Sequence, residues 1–340
     1  MATHWEYWPF SVVYLPVYLY WFYLSLRARS FFFFSTSNPG IENAGFVMES
    51  KMKIYEAIPP DYRPVTVKIP IGDKESNISH LLGQHSLTFP LVAKPDIGEK
   101  GAGVKKVNTP EELFDYHRQS TVDYIIQPWI PYPLEIGLFY TRFPGAQSGT
   151  LTGIVRKEFL TVTGNGRHKI RELMEKNDRA FLQIPSVEKQ NPALLERILP
   201  QGEVFVLVPY GNHSRGSLFL DDSHLINASL TQVFDAIAQS IPGFYYGRLD
   251  IRYEDWDSLC QGKNFSIIEL NGAGSEPTHI YDPRHSVFFA WREIIRHLRI
   301  LYQISTLNKE KEGLSYLSFS EGLRLLRSKR RYDEQLKRNV

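Results

Sequence analysis

The sequence predicts an α+β protein with antiparallel sheets, and three observations carry that expectation. The hydrophobic fraction of 43% and charged fraction of 22% are those of a folded globular chain. Strand-like and helix-like runs are mixed rather than strictly alternating, which argues against a wholly parallel sheet. Two strand-like runs, "GRLDIRYE" and "FSIIELN", flank the short polar stretch "DWDSLCQGKN", as the arms of an antiparallel pair would. At 340 residues the chain has room for two or three packed units.

Residues 7–26, YWPFSVVYLPVYLYWFYLSL, carry no charge and are long enough to cross a bilayer as a helix. Arg27 and Arg29 follow, which would place that end in the cytoplasm. Pro9 and Pro16 interrupt the stretch, and its Tyr and Trp residues favour interfaces over hydrocarbon. No Lys or Arg precedes it and no small-residue cleavage site follows, so no secretory signal is expected. Three readings stay open for segment 1–30: a helix lying in the membrane surface, a spanning anchor, and an aromatic helix packed on the protein body.

"RSFFFFSTSNPGIENAG" then reads as a short buried strand, Phe31 to Phe34, turning at Asn38-Pro39-Gly40. Residues 31–80 form a small α/β region with prolines at 59, 60 and 64. "LTFPLVAKP" reads as a strand followed by a glycine-rich hairpin. Thr109-Pro110-Glu111-Glu112 opens a capped helix, with Pro at its first position and acids in its first turn. "DYIIQPWI" is a further strand, closing a unit over 81–150. A larger unit, 151–305, holds long strands at 150–162 and 203–209, a helix at 229–241, and the antiparallel pair. The tail, 306–340, carries seven basic residues between Arg324 and Arg338 against Asp333 and Glu334. It reads as a solvated basic helix, with lipid-headgroup or partner contact as the alternative.

Charge and cysteine usage narrow the function classes. A net charge of +2, from 39 basic and 37 acidic residues, advertises no nucleic-acid partner. The single Cys260 excludes an internal disulfide framework and a Cys/His zinc site, and fits a reducing, cytoplasmic location.

Four separated stretches share one chemical theme, the needs of a nucleoside triphosphate and its metal. In "FPLVAKPDIGEKGAGVKKV" a strand delivers Lys94, and Gly98, Gly101 and Gly103 let backbone N–H groups approach phosphate oxygens. The Walker spacing is missing, and a plain glycine turn beside a solvated lysine is the alternative. In "DYIIQPWIPYPLE" the strand end can offer an adenine edge its backbone groups, with Glu135 within reach of ribose hydroxyls; a core strand ending in a Pro-rich bend is the alternative. In "GTLTGIVRKEF", Arg156 and Lys157 face opposite sides, and Lys157 is the candidate for the cleft. The fourth stretch ends in "FSIIELNGAGSEPTH", where an apolar strand terminates in a carboxylate, an amide and glycines. Arg248 and Asp250 share one strand face, and Glu269 and Asn271 share a face of the next. A hairpin pairing the two would gather Asp, Glu and Asn oxygens around one or two divalent ions, with Arg248 beside them. A strand simply surfacing into a polar loop is the alternative.

With these residues in place, the chain resembles the ATP-grasp superfamily over about residues 85–300. The Lys-Pro with its glycine-rich loop, the hinge strand, and the R-x-D … E-x-N pair appear in that superfamily's order. "FPLVAKP" and "LDIRYED … IIELN" are similar to D-alanine–D-alanine ligases. "VTGNGRHKIREL" and "YGNHSRGSLFLDD" are closer to cyanophycin synthetases and ligases that add glutamate to protein tails. The resemblance implies two α+β subdomains gripping ATP, preceded by a short α/β region. It implies Lys94 and Lys157 on ATP phosphates, Gln127, Trp129 and Ile130 around adenine, and Glu135 on ribose. It implies Asp250, Glu269 and Asn271 on Mg²⁺, one or two ions, with Mn²⁺ as a substitute. Arg248 and the backbone around Gly272 and Gly274 would steady the transferring phosphoryl group or the oxyanion that follows. Arg215 is a further candidate for that charge.

The implied activity is an ATP-dependent carboxylate–amine ligase acting through an acyl phosphate on small acid and amine substrates, amino-acid or peptide-like. A hydroxyl-phosphorylating kinase on the same fold is the first alternative, and a membrane-associated nucleotide-binding scaffold without catalysis the second. The front of the chain departs from the D-alanine ligase pattern, since "NPGIENAGFVMESK" replaces the glycine-rich start expected there. By position and polarity, Asn43, Glu49 and Lys51 border the acceptor site. His168, His213 and His279 fit structural or substrate-contact roles.

Overall fold

The computed structural model describes residues 5, 8, 10–99, 101–209 and 211–337. Of the positions singled out above, Tyr7, Pro9 and Arg338 lie outside the described residues. The chain divides into two compact units, 1–155 with 221–340, and 156–220.

The first unit opens with helix α1 (Phe10–Ala28), which contains Pro16. No helix among the described residues is long and apolar enough to cross a membrane. Val13, Tyr14 and Val17 are buried with Ile280, Ala290 and Ile294, so the packed-helix reading describes this side of α1. The Trp291 indole N–H donates to the Val13 carbonyl at 2.7 Å, securing the contact. The expected strand at Phe31–Phe34 is not formed. Residues Phe33–Thr36 make a 3₁₀ turn instead, and Phe32, Phe33 and Phe34 are buried as a tight cluster. Helix α2 (Lys51–Ala57) follows, capped by Ser50, whose hydroxyl accepts the Lys53 N–H.

Strand β1 (Val67–Ile69), α3 (Glu75–Gln84), β2 (Leu91–Pro95), β3 (Lys105–Val107), α4 (Pro110–Gln119) and β4 (Tyr124–Pro128) then build one antiparallel sheet in the order β1-β4-β2-β3. Thr109 caps α4, with Pro110 at its first position, as the sequence predicts. Ile78 and Leu82 of α3 and Leu113 of α4 pack on Ile69, Leu91, Ala93 and Ile126 of the sheet.

Strands β5 (Leu134–Thr141) and β6 (Thr150–Glu158) follow, and within β6 the chain enters the second unit. That unit holds β7 (Leu160–Thr163), four short helices, α5 (Ile170–Glu175), α6 (Asp178–Phe181), α7 (Ile184–Gln190) and α8 (Pro192–Leu195), and β8 (Val204–Val208). Strands β7 and β8 pair antiparallel, and the helices bury Ile170, Met174, Ala180 and Leu195 against them. The chain leaves this unit within β9 (Leu218–Asp221).

Back in the first unit, α9 (Ala228–Ser240) buries Leu230, Phe234, Ile237 and Ala238, the i, i+4, i+7, i+8 stripe of an amphipathic helix. Strand β10 (Tyr246–Tyr253), the short helix α10 (Trp256–Cys260) and β11 (Phe265–Asn271) complete a second sheet, in which β10 lies between β5 and β11, antiparallel to both. One face of this sheet, with Leu138, Leu249, Ile251, Ile267 and Leu270, packs on α9 and on Ile54 and Tyr55 of α2. Helix α11 (Val287–Glu312) ends at Gly313, whose left-handed φ of 65° closes the helix. Its Leu301 and Ile304 cover Phe139 and Tyr246 on the opposite face. The last helix, α12 (Phe319–Lys337), is not wholly solvated as the sequence suggests, because Leu336 is buried.

Candidate active site

Beyond Phe139 and Tyr246, which α11 covers, the residues on the same face of β10 and β11 are polar. Arg248 and Asp250 share it because they are two apart on β10, and the register sets Asp250 opposite Glu269 and Arg248 opposite Asn271. The four side chains therefore form a rectangle on one face, the grouping read from the sequence. Arg248 Nε donates to Asp250 Oδ1 at 2.9 Å and Nη2 to Oδ2 at 3.3 Å, a bidentate pair. Burial pulls the Arg248 guanidinium pKa down, but Asp250, Glu269 and Glu276 outweigh it and hold the group above its ordinary value. Arg248 Nη1 also donates to the Glu276 carbonyl at 3.4 Å.

A bulge puts the carboxylate there. Asp250 pairs with Glu269 while Ile251 pairs with Ile267, so Ile268 is an extra residue with no partner on β10. Ile267 and Leu270 both reach the core, and Glu269 is turned away from it. The freed Ile268 carbonyl accepts hydrogen bonds from the Tyr55 hydroxyl and from Lys94 Nζ, the latter at 3.2 Å. Lys94, buried at the end of β2, also donates to Tyr55 Oη at 2.8 Å. Burial pulls its pKa down to about 8, and the charge of Glu269 opposes the shift. Tyr55 gave no sequence signal, because a single tyrosine on a seven-residue helix reads as core.

Beside β11 lies a small pocket bordered by Glu49, Lys51, Tyr55, Glu269 and Asn271. Lys51 Nζ stands 3.9 Å from Glu269 Oε1 and donates to the Gly98 carbonyl. Two atoms around this pocket, Glu49 Oε2 and Asn271 Nδ2, are buried with no hydrogen-bond partner. Burial raises the Glu49 carboxyl above the usual range. A second pocket of about 80 Å³ adjoins it, lined by Glu42, Glu49, Ser50, Lys53, Ile54 and Leu270 among others. Orphaned polar atoms beside a pocket are what a site built for a polar ligand shows. Asn43 is not among the pocket residues; its amide donates to the Val47 carbonyl at 3.0 Å.

The glycine-rich loop is backbone-permissive as expected: Gly98, Gly101 and Gly103 have φ of 154°, 68° and 69°. Leu336 of α12 packs over it, within 3.8 Å of where a Cβ on Gly98 or Gly103 would sit. Asp96, at the start of the loop, accepts from Ser50 Oγ and the Met52 N–H at 2.9 Å each, tying the loop to the start of α2.

Other expected residues are engaged elsewhere. Glu135 is ion-paired with Arg252 at 2.9 Å, both buried. The Gln127 amide donates to Thr66 Oγ1 at 2.7 Å. The Trp129 ring carries Lys106 Nζ at 4.4 Å and the Arg252 guanidinium carbon at 5.4 Å, and its neighbour Ile130 is half-buried. The Gly274 N–H donates to the Gly45 carbonyl at 2.9 Å, so this amide is committed to the 38–46 loop and not open to a phosphoryl oxygen. Lys157 and Arg215 belong to the second unit, where the buried Lys157 ammonium lies 5.9 Å from the Phe219 ring. Of the histidines, His279 is buried 3.6 Å from Glu293, and His168 is bonded to Asn165 at 2.8 Å. His213 stacks edge-on to Phe219.

Among the described residues no group of three His, Cys, Asp or Glu is arranged to hold a metal ion. The rectangle instead offers two carboxylates and one amide, hard oxygen donors that fit Mg²⁺ when water and phosphate oxygens complete the shell.

No protein-family model matches the chain, and no curated protein matches it. Among solved structures it is similar to a D-alanine–D-alanine ligase from Bacillus anthracis, at 15% identity and a TM-score of 0.45, over 78% of this chain and 69% of that one. It is also similar to a bifunctional glutathione synthetase from Pasteurella multocida, at 15% identity and 0.39, over 74% of this chain and 35% of that one. A D-Ala:D-Ser ligase from Enterococcus faecalis is a third, at 14% identity and 0.42, over 74% and 61%. The chain thus spans about a third of the glutathione synthetase and under two thirds of the D-Ala:D-Ser ligase.

Proposed function

We propose that the protein is an ATP-dependent carboxylate–amine ligase working through an acyl phosphate. The observation that carries this reading is the in-register rectangle of Arg248, Asp250, Glu269 and Asn271, with the buried Lys94 ammonium bonded to the bulged strand beside it. A carboxylate is a poor electrophile, so its activation needs a phosphoryl donor and cations to neutralise the oxygens that gain charge. Lys94 would hold a phosphate oxygen, and the glycine-rich loop would lend N–H groups to others. Glu269, Asn271 and Asp250 would hold Mg²⁺, which when bound supplies Lewis-acid polarisation of phosphate oxygens. Arg248, fixed by Asp250, would face the charge on the transferring group.

The reaction balances without a protein nucleophile. The substrate carboxylate takes the γ-phosphoryl group from ATP and releases ADP. The amine then attacks the acyl carbon, and orthophosphate and a proton leave as the amide forms. Glu49 and Lys51, beside the small pocket, would meet the polar groups of the acid or amine. As a separate reading, independent of this chemistry, segment 1–30 would lie against a membrane surface, with the reaction at its cytoplasmic side.

The test is a coupled assay of the purified protein with Mg·ATP and panels of amino acids and dipeptides. ADP and orthophosphate should appear together, and only when an acid and an amine are both present. A phosphorylated product without free phosphate would assign the kinase reaction, and ATP left intact with every pair would assign the scaffold.

A further inference from the structure

Helix α1 is apolar on the side away from the body as well as on the side that packs. Val12, Leu15, Leu19, Phe22 and Leu26 recur at intervals of three and four, and Leu15, Leu19 and Leu26 are 62%, 68% and 78% exposed. An apolar stripe of this length on a surface helix marks a contact that the chain does not make with itself. Ring contacts carry it onward: Phe22 meets Phe31 at 6.0 Å, and Phe31 meets Phe319 at 6.3 Å, with Phe31 and Phe319 both exposed.

Phe319 is the first residue of α12, and the outer side of α12 is basic. Arg324, Arg327 and Arg331, at i, i+3 and i+7, are exposed. The acids of α12 are engaged locally, Glu321 by Ser318, Asp333 by Lys329, and Glu334 by Arg330. No Asp or Glu occurs from Tyr7 to Ile41, while Arg27 and Arg29 are exposed at the end of α1. The charge bordering the apolar stripe is therefore positive.

We propose that α1 and α12 together form a docking surface for an anionic lipid bilayer. The outer side of α1 enters the interface, and the arginines of α12 meet headgroup phosphates. This rests on the surface-contact reading of segment 1–30 and is independent of the ligase chemistry. Two properties select lipid over a second copy of the chain. Tyr18 and Tyr23 on the exposed side are residues that settle at headgroup level. Pairing two copies through this face would bring two basic borders together with no exposed acid in the stripe to offset them.

The test is flotation of the full-length protein with vesicles of phosphatidylcholine alone or mixed with phosphatidylserine. Binding should be at least roughly tenfold stronger to the mixed vesicles and weaken with salt. Arg324→Gln with Arg327→Gln and Arg331→Gln should lower it on the order of a hundredfold, and Leu15→Ser with Leu19→Ser should lower it as far. Thermal melting checks that both variants fold. Failure to bind either vesicle removes the surface-contact reading too. Binding that ignores lipid charge and the arginine variant removes the two-helix surface alone. Concentration-dependent dimers abolished by the leucine variant would give the stripe to a second copy and overturn the proposal. ADP release, read on the same preparation, reports the ligase reading separately.

Discussion

Arg248 and Asp250 are bonded side by side on one sheet face because the residue opposite Asp250 on β5 is Gly137. A Cβ at Gly137 would lie 2.9 Å from Asp250 Oδ1, 2.8 Å from Val155 Cγ1 and 3.1 Å from Arg248 Cδ. The glycine is there for space, so Gly137→Ala should displace the ion pair. The expected outcome is a loss of about 1–3 kcal/mol in stability together with weaker Mg·ADP binding. Thermal melting and calorimetric titration check it; unchanged nucleotide affinity would mean that the pair does not serve the site.

The two carboxylates of the rectangle should behave differently when neutralised. Asp250→Asn takes the bidentate counter-charge from the mostly buried Arg248 guanidinium, leaving only the more distant Glu269 and Glu276 charges, with an expected cost on the order of 3 kcal/mol. Glu269 is about a third exposed and lies 3.9 Å from Lys51, so Glu269→Gln should cost less than about 1 kcal/mol. Both should abolish Mg²⁺-dependent ADP release. A Glu269→Gln protein with the wild-type Mg²⁺ response would remove this residue from the ion.

That Arg248 and Asp250 share a face was legible because period-two alternation is a property of any strand, and the β10–β11 pairing because the two runs flank a short polar segment; the ion pair between Arg248 and Asp250 was not. Nor was the bulge. Strict alternation puts Phe265, Ile267 and Glu269 on one face, which would carry the carboxylate into the core. An inserted residue leaves no compositional mark, so the bulge at Ile268, the part of Tyr55, and the bond by which the expected Lys94 reaches that carbonyl were hidden. The Phe31–Phe34 run misled for a related reason. Four identical apolar residues carry no period, and their 3₁₀ turn is held by distant groups, Ser305 bonding Thr36 and Asn308 bonding the Thr36 and Ser37 carbonyls. The Leu336 contact of α12 depends on where a terminal helix comes to rest, which local pattern does not encode.

Lys94 links stability and binding in opposite directions. In the folded chain its pKa is about 8 because of burial, against 10.5 for the ordinary side chain. Between those values the unfolded chain holds more protons, so stability should rise with pH across this window. Lys94→Met should flatten that rise and leave stability at neutral pH equal or higher, since Tyr55 keeps its bond to the Ile268 carbonyl. Nucleotide affinity should fall by roughly tenfold or more as a charge-assisted contact is lost. Wild-type affinity should also weaken as the pH passes 8. A methionine variant that binds nucleotide normally would take Lys94 out of the phosphate site.

Acid sensitivity should centre on His297. Its ring meets Phe139 edge-on at 4.4 Å, and its Nδ1 is buried without a partner. Burial, then the charge of Arg296, holds its pKa down to about 3. From its ordinary value of 6.5 down to about 3, the unfolded chain takes up a proton that the folded chain refuses, so stability is lost as the pH falls. Glu293 adds to this: burial raises it, but His279 and Arg296 outweigh burial and hold it to about 2, so its contribution fades below 4.5. His297→Phe keeps the aromatic packing and removes the titrating group, while Arg296 retains its bonds to Glu293 and the Thr152 carbonyl. The acid-unfolding midpoint should move down by roughly half a pH unit or more, with neutral stability kept within about 1 kcal/mol. Equilibrium unfolding followed by circular dichroism from pH 7 to 3 measures both. A midpoint that stays put would shift the acid response to Glu293 and its partners.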